Sequence, residues 1–253
     1  MRPLRLYTWA LAAALYVPIG VMVALSFNNS KLPYVWGGFT LRWYQELLRW
    51  DQAWQAVFNS VVVALAVSFT ATLLGMFMAY VLRQDKYLAV SQVAVVMPEV
   101  SEALSFAAAL QLVKTYAGVD LFGPVGVFLA HLAYTLPMAH VLLAPYMAYV
   151  SRSAVEAARI FGASELKTMT AVVMPILMPA FVATFLIVFA NSFDTYVKTA
   201  FTTSPGFVTA PILLWSYAAR GRGDPTIYAL ASLMLLPSLV AAVIYFRAVK
   251  RYG

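Results

Sequence analysis

From Ala56 to Leu82 the chain carries no charged side chain, and several further runs are nearly as apolar. Segments of about 20 apolar residues are long enough to cross a bilayer as helices, and within lipid a helix satisfies its own backbone hydrogen bonds. Across the 253 residues, 63% are hydrophobic and 11% charged, which lies outside the range of soluble domains. The pattern predicts an all-α, polytopic membrane protein, a single domain over residues 1–253. Six spans are expected, at about 6–27, 56–82, 87–113, 125–149, 176–197 and 226–246. The first follows Arg2 and Arg5 and is too long for the core of a signal peptide, so it reads as a retained span. Residues 40–50 and Ala210 to Ala219 are expected to form interfacial helices.

Six spans put both termini on one side. That side gathers Arg2, Arg5, Arg83, Lys86, Arg152, Arg159, Lys167, Arg247, Lys250 and Arg251 against three acids, while the remaining seven basic and seven acidic residues balance. The excess of basic residues marks the cytoplasmic face. With no block of five or six basic residues, the net charge of +7 reads as topology and not as a nucleic-acid surface. There is no cysteine, which closes thiolate metal and disulfide chemistry.

Between the fourth and fifth runs lies a polar, helix-forming segment, 150–175. Ser153 followed by Glu156 has capping-box spacing, so a helix is expected to start at Ser153. Gly162 suits a left-handed C-terminal turn, and Ser164 with Glu165 offers a second N-cap. The second helix is expected to end or bend at Pro175. Two short helices hinged at Gly162 would thus present Glu156, Arg159, Ile160, Phe161, Glu165 and Lys167 to the cytoplasm.

Glu156-Ala157-Ala158, three residues, Gly162, nine residues and then Val172-Val173-Met174-Pro175 resemble the EAA loop of the permease subunits of ABC importers, with Val172 and Met174 as mild departures. The resemblance extends over nearly the whole chain and is greatest to spermidine/putrescine-type permeases. It rests on Met97-Pro98-Glu99, on His131 with Leu136-Pro137, on Gly162 to Glu165, on Pro175 with Met178-Pro179-Ala180, and on Asn191 to Asp194. It implies a type I importer permease fold in a bacterial inner membrane and a second, different permease beside this one. It also implies two cytoplasmic ATPases holding ATP and magnesium, and an extracytoplasmic binding protein. Glu156, Ala157, Ala158, Phe161, Gly162 and Pro175 would couple to the ATPase. This chain has no GxxxxGK[ST] loop, so it is expected to hydrolyse no ATP itself and to need no cofactor.

Three acids fall in apolar surroundings. Glu99 and Glu102 lie three apart after Pro98, on one face of a restarted helix, and Asp194 closes the fifth run. A carboxylate at mid-bilayer costs roughly 2.5–3.5 kcal/mol, so such groups face water, a cation or a protein partner. All three are candidates for a solute path and suit a cationic amine. The competing reading gives Glu99 and Glu102 to helix capping or subunit pairing. It pairs Asp194 with Lys198, four residues on. His131 and His140, nine apart, read as satisfied core residues and not as metal ligands. Amino acid-like, phosphonate or iron solutes fit the same machinery. A proton-driven secondary carrier using Glu99, Glu102 and His131 is the rival of a different class.

Overall fold

The computed structural model describes the backbone of residues 2–32, 35–82, 85–220 and 225–250. Along it run α1 (Arg2–Leu25), α2 (Arg42–Leu48), α3 (Asp51–Val81), α4 (Asp85–Val96), α5 (Glu99–Ala117) and α6 (Pro124–Leu143). These are followed by α7 (Arg152–Ile160), α8 (Glu165–Thr168), α9 (Met174–Asp194), α10 (Val197–Thr202), α11 (Ala210–Ala219) and α12 (Pro225–Lys250). Among the described residues the β structure is one isolated bridge, Asn28 with Phe39. Half of the expected charged turn, Arg83 and Gln84, lies outside the described residues, as do 221–224 and Arg251.

Four stretches are long and apolar enough to cross a membrane: Asp51–Val81, Pro124–Tyr149, Glu165–Asp194 and Pro225–Ile244. A fifth span results if α4 and α5 are taken together, although they meet at 101°. The expected third span is therefore broken at Pro98, where a new helix starts. Pro98 ends α4's run and serves as the N-cap of α5, because proline disfavours helical backbone in the residue before it. The expected first span falls on α1, whose described apolar stretch is Ala13–Leu25. Both segments expected to be interfacial form helices, α2 and α11.

The organising helix is α3. Its inward face recurs every three or four residues as Ala53, Ala56, Ser60, Ala64, Val67, Ala71, Gly75 and Ala79, all buried. Small side chains there allow neighbouring backbones to approach, which drives packing where lipid is as apolar as protein. Phe58, Val62, Leu65 and Phe69 project from the opposite face, exposed on this chain. One end of α3 packs with Trp43, Leu47, Phe193, Leu213 and Leu230, its middle with Val127, Ala139 and Val188, and its other end with Leu143, Val155, Met169 and Val173. That last cluster seats the polar segment 150–175 against the membrane bundle.

Candidate functional site

The segment 150–175 departs from its expected start. Its first helix begins at Arg152, with Ser151 at the cap position and no side-chain cap, because Ser151 and Ser153 spend their hydroxyls on each other at 2.6 Å. Its end is as expected. Gly162 has φ +79, its amide donates to the Arg159 carbonyl at 2.9 Å, and the Ala163 amide donates to the Ala158 carbonyl at 3.0 Å. That bond pair is a Schellman turn. Ser164 then caps α8, accepting from the Lys167 amide at 3.3 Å.

The helix does not end at Pro175. A π turn over Met169–Val173 carries α8 into α9, so that Pro175, lacking an amide, falls in the first turn after a widened backbone. Among the described residues, Arg159 pairs with Glu165 at 2.7 Å, and the Tyr80 hydroxyl from the end of α3 donates to it at 2.9 Å. The bond to Glu165 raises the Arg159 guanidinium above its ordinary range. Glu156, Arg152, Arg159, Glu165, Tyr80 and Leu166 line one open cavity of about 620 Å³.

Of the coupling candidates, Glu156 and Ala157 are exposed and Ala158 is half-buried. Phe161 is 90% exposed, flanked by Ile160 at 83%. Pro175 is exposed but lies beyond the π turn, away from this cavity. Nothing in the sequence pairs Tyr80 with Glu165, 85 residues later. Because Arg159 is half exposed and Glu165 more so, Arg159→Ala is expected to leave the melting temperature nearly unchanged. A thermal melt of the purified protein checks this.

The acids of the second site are also redistributed. Asp194 does not pair with Lys198. The helix ends at Asp194, and Thr195 is extended, so the i, i+4 geometry is lost. Asp194 instead accepts from the Ser238 hydroxyl at 3.2 Å. Lys198, 4% exposed, donates to Glu99 Oε1 at 3.0 Å and lies 3.8 Å from the centre of the Tyr134 ring. The Thr195 hydroxyl donates to the same Glu99 oxygen at 2.6 Å. Glu99 and Asp194 line a common open cavity of about 560 Å³ with Tyr134, Asn191 and Lys198. Glu102 faces a smaller one of about 110 Å³, again with Tyr134 and Lys198, and its buried Oε2 has no hydrogen-bond partner among the described residues.

His131 is a satisfied core residue, its ring nitrogens 2.9 Å from the hydroxyls of Ser192 and Thr199. His140 is only half satisfied, since its Nδ1 shares a hydrogen bond with Ser91 while its buried Nε2 has no partner among the described residues. Thr195 and Tyr134 are not legible as site residues, since their roles depend on α5, α6 and the start of α10 meeting in space.

A bundle of apolar helices around α3, with an amphipathic helix pair docked at one end and Glu99, Glu102 and Asp194 lining cavities near the other, is the architecture of a polytopic membrane protein. The chain belongs to the family of binding-protein-dependent transport system inner membrane components, whose profile matches residues 71–253. It is accordingly a multi-pass inner-membrane protein. It is 33% identical over 229 residues to the putrescine transport system permease protein PotI of Escherichia coli (strain K12), covering 87% of this chain and 81% of that protein. To the spermidine/putrescine transport system permease protein PotC of the same strain it is 30% identical over 240 residues, covering 92% and 89%.

The fold resembles a chain of the bacterial alginate ABC transporter, crystallised with its alginate pentasaccharide-bound periplasmic protein, at TM-score 0.69 and 12% identity over 98% of this chain and 93% of that one. A chain of the inward-facing MetNI methionine ABC transporter matches at TM-score 0.57 and 13% identity, over 81% and 99%.

Proposed function

We propose that this chain is one of the two permease subunits of an ATP-driven importer of polyamines such as putrescine or spermidine. Together with a second, different permease it forms the solute path, lined here by Glu99, Glu102 and Asp194. Two cytoplasmic ATPases, which hold ATP and magnesium, dock on the segment 150–175 through Glu156, Ala157, Ala158, Phe161 and Gly162, with Pro175 at its junction to the membrane helix. Both termini are cytoplasmic, and an extracytoplasmic binding protein delivers the solute.

The observation that carries the coupling role is the exposure of Ile160 and Phe161 at the tip of α7, beside a glycine turn and a cavity rimmed by charge. A large exposed apolar pair on a polar helix is a docking feature. The polyamine assignment is supported by the named relatives and by three carboxylates in apolar surroundings, which suit a cation that shares their desolvation.

The test is uptake of labelled putrescine and spermidine by cells lacking the chromosomal copy, with and without restoration of this chain. We expect uptake to be lost and restored, to fail on ATP depletion, and to survive a protonophore at constant ATP. Uptake abolished by the protonophore alone would instead establish the proton-driven carrier, and uptake indifferent to the chain would remove the polyamine reading.

A further inference from the structure

We infer that the pocket around Glu99 is a receptor for one primary ammonium group, and that Lys198 is its resident occupant, a tethered stand-in that an incoming amine displaces. The inference rests on the importer reading for the class of solute, but its central test does not.

The pocket is built around an ammonium. Lys198 Nζ donates to Glu99 Oε1, and the Tyr134 ring face lies 3.8 Å away. A carboxylate acceptor combined with an aromatic face is the pairing that holds alkylammonium groups. The Thr195 hydroxyl donates to the same carboxylate oxygen and helps to orient it.

One lysine leaves part of this chemistry unused. An ammonium has three donors, and the buried Glu102 Oε2, in the small cavity that Lys198 also lines, accepts from none of the described residues.

The pair is also asymmetric. The Lys198 side chain is 5% exposed, whereas that of Glu99 is 44% exposed. A cation entering the larger cavity therefore meets the carboxylate before it meets the lysine. The same cavity offers Asn191 and Asp194 to the remainder of an alkyl chain, including a second ammonium at its far end. Until the solute arrives, Lys198 compensates a carboxylate that would otherwise stand alone in the bilayer. This explains how a site for cations comes to contain a lysine.

The test uses the unaltered chain in its native membranes, treated with a water-soluble carbodiimide. The reagent activates a carboxylate, the neighbouring amine attacks, an amide forms, and the reagent leaves as its urea. Without added amine, mass spectrometry should find a Glu99–Lys198 amide. The exposed pair of Lys114 with Asp120, 2.7 Å apart, provides an internal reference.

With n-butylamine present, we expect the Glu99–Lys198 product to be replaced by the butylamide of Glu99 at concentrations at least tenfold below those that affect Lys114–Asp120. Parallel loss of both products, or persistence of the Glu99–Lys198 amide, would overturn the proposal. In purified transporter, Lys198→Met should bind n-butylamine and putrescine at least tenfold more tightly than the native protein, Lys198→Arg should not, and adding Glu99→Gln should abolish the gain. A folded Lys198→Met protein with native affinity would also overturn it. Native cells that fail to import putrescine, while the butylamide still forms at Glu99, would reject the polyamine reading alone.

Discussion

Gly75→Leu is expected to leave no folded chain in the membrane. A Cβ at position 75 would lie 2.7 Å from the Ala139 Cβ and 3.0 Å from both the Ala139 carbonyl carbon and the His140 nitrogen. Normal carbon contacts fall near 3.5–4.0 Å, so even alanine requires the α3 and α6 backbones to part by roughly 1 Å. The obstacle is helix backbone, with no flexible side-chain tip to swing away. Overpacking of a dense core typically costs about 1–3 kcal/mol, and leucine adds three carbons beyond that first clash. The separation would also propagate to both flanking clusters, because α3 runs through all three.

Gly75→Ala should therefore give a folded protein with a lowered melting temperature, and Gly75→Leu one that is degraded or aggregated. Membrane yield and a detergent melt check the pair. Gly75→Leu at native yield and melting temperature would disprove the close approach.

Gly162→Val is expected to yield a folded permease that no longer holds an ATPase. At this position a Cβ would meet nothing within 4 Å, so crowding contributes nothing, and the whole effect comes from φ +79. An L-residue in that conformation costs roughly 1–2 kcal/mol, and a β-branched one more. The relaxed alternative reverses φ, breaks the bonds to Ala158 and Arg159, and swings α7 relative to α8, displacing Ile160 and Phe161, the residues proposed to dock.

Each 1.4 kcal/mol in that balance is about tenfold in the population able to dock, so uptake should fall by tenfold or more. Gly162→Asn, which tolerates left-handed backbone, should retain most of it. Co-purification from native membranes checks both variants. Recovery of an ATPase with a folded Gly162→Val protein at the native level would remove this turn from the coupling role.

These two glycines were unequally legible in the sequence. Gly162 announced itself, since it stands where a polar helix must end and another cap begins. Gly75 stands unmarked in an apolar run. Its importance depends on which face of α6 crosses it, and that is a tertiary fact.

The same division runs through the site. Local spacing was enough to place Glu99 and Glu102 after Pro98, to cap α8 with Ser164, and to read His131 as a core residue. Local spacing also misled, pairing Asp194 with Lys198 across a helix end that only the packing of α10 against α5 reveals. The expected end or bend at Pro175 did not become a stop, for a related reason. A π turn accommodates the missing amide, and tertiary burial of Met169 and Val173 keeps the chain helical.

That uninterrupted passage gives the molecule a drive shaft. From Glu165 to Asp194 the backbone is a single run of 30 residues, about 45 Å at helical rise. Its lower end is bolted by Glu165 to Arg159 and Tyr80, and its upper end stops one residue short of Thr195, whose hydroxyl grips Glu99. A tilt imposed at the Glu165 end therefore reaches the Glu99 carboxylate along one continuous helix, jointed at the widened turn before Pro175 and again at Pro179, where the ladder lacks an amide.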